Sequence, residues 1–473
     1  MLSRTILNRW LIAAAACAAT APGADWPMWG GNPSRNMVSA ETGIPRTWDV
    51  RSSQNIKWVA EIGSQSYGNP VVAEGKVFLG TNNELLRDEA YPDDRGVVMA
   101  FDEKTGEFLW QITHEKLAAG RVNDWPEQGV CSSPAVADGM VYYVSNRAEV
   151  LAVDAEGFRD GENDGPFKGE ERQEPTDGDI LWVVDMYNDL GVFPHNMAAT
   201  SPLVVGDLLF VNTSNGVDES HINIPSPRSP SFLALNRKTG EILWEDRSPG
   251  RNILHGQWSS PAYGVAGGRE QVVFAGGDGW LYSFVPESGE LIWKFDTNPK
   301  ESEWKQGRGD RNNLIATPVM LDGKVYIAVG QDPEHGEGVG HMWAVDASGT
   351  GDVTESHVVW HHPFRRTIST VAIHDGIVYV PNFSGFFHAL DLATGELLWE
   401  HDMLAAVWGS PYVVDGKVMI GDEDGDLSVL NAGRELEVLS EINFGNVIYS
   451  TPIAANGTLF IMTRSHLYAI EAD

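Results

Sequence analysis

The chain has 473 residues with a formal net charge of −33, and is rich in Gly (50) and Trp (17). So strong an acidic excess, with no long basic run, repels phosphate and excludes a nucleic-acid partner. Two cysteines, Cys17 and Cys131, exclude a disulfide-stapled scaffold.

The first 24 residues, MLSRTILNRWLIAAAACAATAPGA, have the form of an export signal. Arg4 and Arg9 supply a positive head, residues 10–16 a short apolar core, and Ala19-Thr20-Ala21 or Ala24 a cleavage site. The apolar run is too short to span a bilayer, and no later segment is apolar enough to do so. Cleavage takes two Arg from −33 and leaves −35. The expected destination is the periplasm or the extracellular space. Lipidation at Cys17 is the lesser alternative, since Ala14 stands where a lipoprotein signal usually has Leu. If Cys17 leaves with the signal, Cys131 has no disulfide partner.

Residues 25–54 form a lead-in, and a repeat fills 55–473. The hexamers TGEFLW (105–110), TGEILW (239–244) and TGELLW (394–399) close its clearest copies, and SGELIW (288–293) closes a weaker one. The fuller unit is Ala-x-Asp/Asn-x-x-Thr-Gly-x-x-x-Trp, with weaker copies ending at Trp182 and Trp360. Ahead of it comes Ser/Thr-Pro, an alternating apolar stretch, Asp/Asn-Gly and a second apolar stretch, as in SSPAVADGMVYYV (132–144). Period-two patterning broken at Asp-Gly or Thr-Gly predicts strands and tight hairpins, four strands per unit.

Eight first strands are expected near Pro70, Pro134, Pro202, Pro261, Pro318, Thr370, Pro411 and Pro452. The last unit ends after its third strand, and residues 55–62, NIKWVAEI, are a Trp strand with no unit before them. The expectation is an all-β, eight-bladed β-propeller of four-stranded antiparallel blades, its ring closed by the N-terminal Trp strand. Each Trp is expected to plug the seam to a neighbouring blade, burying roughly 200 Å². The outer strand near 437–442 lacks the Trp, which predicts a weaker seam there.

The unit Ala-x-Asp-x-x-Thr-Gly-x-x-x-Trp resembles the repeat of the pyrroloquinoline-quinone (PQQ) propeller family, over nearly all of the chain beyond residue 54. That family spans quinoprotein dehydrogenases and a cofactor-free lipoprotein of outer-membrane barrel assembly, so the fold alone does not assign an activity. The chain departs from the dehydrogenase pattern in having no adjacent cysteine pair, no C-x-x-C-H haem motif and no acidic partner to match Asn196 as a calcium ligand.

The residues just before each Ser-Pro crowd one mouth of a propeller channel. His195, Asn196, His255, Gln257, Trp258, Asn313, Arg366 and Trp408 are therefore the candidate ligand residues. The resemblance implies PQQ there, with Arg pairing its carboxylates and Trp stacking on its rings. Two loops are weighed as metal sites. Asp160, Glu162, Asp164 and Glu171, with Gly165, follow EF-hand spacing for Ca²⁺, against a plain acidic loop. Residues 330–341, with His335, His341, Asp332, Glu334 and Glu337, suit a transition metal or a hairpin tip. Asp422, Asp424 and Asp426 read as a turn, and the insertion at 218–230 as a stiff surface excursion. The expected function is an exported binding scaffold for a protein, a carbohydrate or a small ligand; the alternative is a PQQ- and Ca²⁺-dependent alcohol or sugar dehydrogenase.

Overall fold

A computed structural model describes residues 23–305, 309–331, 335–336 and 338–471. The leader, apart from Gly23 and Ala24, lies outside the described residues, and Cys17 with it. Eight sheets, each holding four antiparallel strands in meander order, form an eight-bladed β-propeller. The first strands begin at Val71, Ala135, Leu203, Ala262, Val319, Ala372, Tyr412 and Ile453, one or two residues after the expected positions. Five of the eight first hairpins turn on Asp-Gly or Asn-Gly pairs with both residues at positive φ, as at Asp138 and Gly139 (52° and 75°) or Asn456 and Gly457 (51° and 78°); the first, third and fourth blades use Glu74-Gly75, Gly206-Asp207 and Gly267-Gly268. This mirror-image turn matches the strand twist, and Gly adopts it without a Cβ penalty.

The last blade takes its outer strand from the other end of the chain. Ile56–Glu61 pairs antiparallel with His466–Ile470, with Trp58 opposite Ala469. Two further segments extend sheets at their edges. Val38–Ser39 runs parallel to Tyr412–Val414 in the seventh blade, and Gly351–Asp352 parallel to Leu291–Asp296 in the fourth.

Each outer strand carries a one-residue bulge just before the Trp position, in all eight blades. A bulge re-aims a side chain, and here the indole swings onto the next blade's third-to-fourth-strand turn. Its N–H donates to a carbonyl of that turn: Trp58 to Glu103 (3.0 Å), Trp110 to Ala155 (3.1 Å), Trp182 to Arg237 (3.1 Å), Trp244 to Pro286 (2.8 Å), Trp360 to Leu392 (2.8 Å) and Trp399 to Gly433 (2.9 Å). The Thr-Gly of the repeat serves the same contact. A Cβ on Gly395 would stand 2.6 Å from the Trp360 ring, and one on Gly106 or Gly240 would stand 2.6 or 2.8 Å from Trp58 or Trp182. Trp293 differs, donating instead to Gln271 of its own blade (2.8 Å).

The missing indole of the seventh blade has a structural reason. Ser440 holds the Trp register, opposite Val429. The eighth blade has no continuous third-to-fourth-strand turn for an indole to cover, because the ring closes there between residues 470 and 56. The lead-in covers the gap: Ser440 Oγ donates to the Arg46 carbonyl (2.6 Å), and buried Trp48 packs on Phe444 at 6.4 Å between ring centroids.

The Ser/Thr before each Pro faces the axis. The Asn69 N–H donates to Ser133 Oγ (2.7 Å), Ser133 to Ser201 (3.1 Å) and Ser201 to Ser260 (2.9 Å). Thr317 donates to Thr370 (3.0 Å), Thr370 to Ser410 (2.9 Å), Ser410 to Thr451 (2.9 Å) and Thr451 back to Asn69 Oδ1 (3.0 Å). These bonds span seven of the eight blade junctions around the channel; between the fourth and fifth blades Ser259 Oγ donates to the Ala316 carbonyl (2.8 Å) instead.

The lead-in then closes one end of the channel by touching the inner strands in turn. Trp26 pairs with Val72, Pro27 accepts from Val136, Pro33 from Tyr263, Ser34 from Met320 and Met37 from Val413, and Asn36 bonds Ile373 both ways. Arg35 is wholly buried among the carbonyls of Trp29, Ser201, Pro202 and Pro261, at 2.7–3.0 Å. Burial pulls its pKa down to about 9.

The seam makes a measurable demand on glycine. Around Gly416 (φ 71°) a Cβ would meet open space, with no atom within 4 Å, whereas Gly395 (φ 72°) faces Trp360. In urea unfolding, Gly416→Ala is expected to lose about 1–2 kcal/mol from the left-handed backbone alone. Gly395→Ala is expected to lose about 1–3 kcal/mol more from the clash. Equal losses would remove the indole from the seam's energetics.

Candidate functional site

The residues that precede the axial hydroxyls converge at the mouth opposite the lead-in. They enclose a cup of about 420 Å³. Its wall is aromatic: Tyr67, Trp125, Trp258, Trp408 and Tyr449. Tyr67 and Tyr449 stack at 5.0 Å and 11°, and Trp408 stands 5.1 Å from Tyr449. The Trp408 indole donates to Glu423 outside the lining, which fixes its plane. Polar atoms come from Asn69, Gln128, Asn196 and the axial hydroxyls, while Trp29 of the lead-in adds an indole bonded to Thr317 Oγ1 (3.2 Å). Among the described residues no Lys, Arg, Asp or Glu lines the cup. Burial pushes the Cys131 thiol up to about 12, so this wall residue stays protonated and inert as a nucleophile. Burial also holds the Tyr67 phenol well above its ordinary pKa.

The eight candidate residues do not form one ring. Asn196, Trp258 and Trp408 line the cup. The Gln257 amide lies behind the wall, donating to Asn215 O (2.9 Å) and Ser231 Oγ (3.0 Å) and accepting from the Gly277 N–H (3.3 Å). Asn313 is buried and donates to the Gly256 carbonyl (3.3 Å). Arg366 is turned away: its guanidinium bonds Asn312 Oδ1 (2.9 Å) and the carbonyls of His335 (2.9 Å), Gly336 (3.2 Å) and Gly309. It anchors a loop with the groups that a ligand carboxylate would need. His195 and His255 are buried beside Trp258, with ring centroids 6.0 and 5.2 Å from it, and meet a third imidazole, His221. His221 comes from the 218–230 insertion, which reads as surface in the sequence because the Pro-rich end masks what its other end touches.

The two loop readings also change. Asp160, Glu162, Asp164 and Glu171 do not converge into a ligand group among the described residues. The Lys168 ammonium takes that place, donating to the carbonyls of Asn163 (2.7 Å) and Asp164 (2.9 Å), while Asp160 Oδ1 accepts from the Glu162 N–H (2.9 Å). In the second loop, Asp332, Glu334 and Glu337 lie outside the described residues, and the two histidines part company. His335 packs edge-on against His255 at 4.6 Å between centroids, whereas His341 Nδ1 meets His361 Nε2 at 3.0 Å inside the fifth blade. Asp422 holds a turn, its Oδ1 accepting from the N–H of Asp424 and of Asp426 (3.0 Å each).

With the fold and cup in place, comparison with known proteins is informative. The family model described as outer membrane protein assembly factor BamB matches residues 173–354 and 340–439, more than half of the chain. The chain belongs to this PQQ-like propeller family. It is similar to the outer membrane protein assembly factor BamB of Yersinia pestis, 23% identical over 381 residues that cover 79% of each chain. It is also similar to the polyvinylalcohol dehydrogenase of Sphingopyxis sp. (strain 113P3), 23% identical over 377 residues covering 66% of this chain and 52% of that one. Among solved structures, a europium-containing methanol dehydrogenase superposes with a TM-score of 0.67 at 14% identity, covering 95% of this chain and 98% of that one. BamB from Moraxella catarrhalis superposes at 0.54 and 16%, covering 88% and 97%. These two structures share the propeller fold. The family thus includes assembly factors and dehydrogenases, and the site chemistry has to separate them.

The His341 pair sets a pH dependence. Burial, then the neighbouring His361, lowers the His341 pKa to about 4 from its ordinary 6.5. The folded state therefore favours the neutral ring; its stabilisation is complete above pH ~6.5 and is lost as pH falls toward 4. In urea unfolding at successive pH values, the stability difference between the parent and His341→Gln should shrink as pH falls through that window, by no more than about 3 kcal/mol. A difference that stays constant across the window would remove His341 from the acid response.

Proposed function

We propose that this protein is an exported binding scaffold whose rigid propeller presents the aromatic cup to a small uncharged ligand of the carbohydrate class. The observation that carries this reading is the chemistry of the lining: several aromatic faces with amides and hydroxyls between them, and no charged side chain among the described residues. Sugar rings offer C–H faces that pack on aromatic planes and hydroxyls that bond amides, and a mostly apolar pocket with a few oriented polar groups is how small-molecule sites are built. The cup's volume of about 420 Å³ suits one or two sugar rings. Export is supported by the N-terminal signal pattern. Among the described residues no helix is long and apolar enough to cross a membrane.

The dehydrogenase alternative asks for different donors. A polyanionic quinone needs cations facing it, and Ca²⁺ beside it needs carboxylates. The cup lining has neither, and Arg366 is held by loop carbonyls. The residues present do not fit PQQ with Ca²⁺, and no oxidation step is assigned to them. The relatives named as assembly factors support a non-catalytic role for the fold without naming a partner for this chain.

The test is calorimetric titration with neutral gluco-, manno- and galacto-oligosaccharides, and separately with PQQ plus Ca²⁺. At least one sugar series should bind, with affinity falling tenfold or more in Trp408→Ala and in Tyr67→Ala. Absence of sugar binding, or tight PQQ binding accompanied by dye reduction with an alcohol, would overturn the assignment.

A further inference from the structure

We propose that His195, His221 and His255 form a binding site for one divalent transition-metal ion of the imidazole-preferring class, Zn²⁺ or Co²⁺ being its simplest probes. The three residues come from three chain segments: the connection into the third blade, the insertion between that blade's second and third strands, and the connection into the fourth. Yet one ligand nitrogen from each lies within 4.8 Å of the others. Ring centroids are 4.3 Å apart for His195 and His255, and 4.8 Å apart for His221 with either partner. His255 Nε2 is 2.9 Å from His221 Nδ1. Tetrahedral ligands at Zn–N distances of 2.0–2.1 Å stand roughly 3.3 Å apart, so small ring rotations bring this trio to ligating geometry.

The surroundings orient the ligands as metal-binding histidines are oriented. His195 Nδ1 lies 2.8 Å from the Val217 carbonyl. That oxygen can only accept, so Nδ1 carries the proton and the lone pair is on Nε2. A ligating imidazole held through its other nitrogen by a carbonyl is the usual outer-shell arrangement. The Val217 N–H also donates to the His255 carbonyl (3.0 Å), tying two ligand segments together. His221 sits at φ 58°, a left-handed conformation uncommon outside Gly. It is held there by its N–H bond to the Asp218 carbonyl (2.9 Å), while the Asp218 carboxylate accepts from Ser220 and from Asn223. The ligand loop is thus shaped by its own hydrogen bonds.

Donor chemistry selects the ion. Three imidazoles, with no carboxylate grouped with them among the described residues, suit Zn²⁺, Co²⁺, Ni²⁺ or Cu²⁺ and do not suit Ca²⁺ or Mg²⁺, which take oxygen. An approach path exists: half-buried His221 lines a groove of about 770 Å³ together with Trp280, Trp304 and Arg311. A formal charge of −33 raises the concentration of cations near the surface. The site backs onto the cup, because Trp258 lines the cup and its indole donates to the carbonyls of His195 (3.0 Å) and Met197 (3.2 Å).

Tag-free protein stripped with a chelator is titrated with Zn²⁺ by calorimetry and with Co²⁺ by visible absorption. One equivalent should bind, the Co²⁺ form should show ligand-field bands of a nitrogen-ligated tetrahedral ion, and affinity should fall in acid because protons compete for the ligand nitrogens. His221→Ala and His221→Gln should each weaken binding at least 100-fold while leaving the metal-free urea midpoint unchanged, since this ring is on a loop. The control His357→Ala, in a loop of the fifth blade, should bind as the parent does. No binding at millimolar Zn²⁺, or binding that is unaltered in both His221 variants, would overturn the assignment. These readouts do not involve a sugar, so they stand or fall separately from the cup.

Discussion

A blade of four short strands cannot bury both of its faces, and the whole molecule follows from how each blade is joined to the next. Two contacts do this at opposite radii. Near the axis, a backbone N–H of one blade donates to the side-chain oxygen just before the first strand of the next. At the rim, an indole covers the following blade's turn and donates to its carbonyl. The repeat needs Ser/Thr, Thr-Gly and Trp in those places for these reasons. The hydroxyl is small enough to reach an amide at the axis, the glycine leaves room for the ring, and the bulge aims it.

The closure of the ring explains the exceptions. A circular array has one junction where the chain is not continuous, and here it falls within the eighth blade. The turn that an indole would cover does not exist there, and the seventh blade carries Ser440 at the Trp register. The lead-in bridges that defect through Arg46 and Trp48, then runs across the inner strands of one blade after another. Its buried Arg35 satisfies four carbonyls at the axis. One mouth of the channel is stopped, and the other becomes a blind cup.

The cup and the histidine trio are neighbours with different chemistry. The cup offers aromatic faces and neutral hydrogen-bonding groups. The trio offers three nitrogens in a buried setting, partly supplied by an insertion that a shorter blade would lack. Trp258 belongs to both environments, so the position of this indole depends on the segments that carry His195 and His255. Relatives named as assembly factors and as dehydrogenases share the frame. What differs between members of such a family is the set of side chains placed at the mouths and in the inserted loops.

The sequence by itself determined the eight blades, the hairpin positions and the strand order, because period-two patterning, Asp-Gly turns and a recurring Trp are local signals that each blade repeats. It also determined that Asn196, Trp258 and Trp408 face the mouth, since they directly precede the axial strands. Tertiary structure alone decided the rest. Arg366 reads as a ligand partner in the chain, but the loop carbonyls at Gly309, His335 and Gly336 reach it first. The acidic run at 160–171 matches calcium spacing, yet Lys168 folds back onto its carbonyls. His221 joins residues from two other connections although nothing in its own stretch announces it. Backbone patterning is legible because it is periodic, whereas the meeting of side chains from separate loops depends on how those loops fold back over the disc.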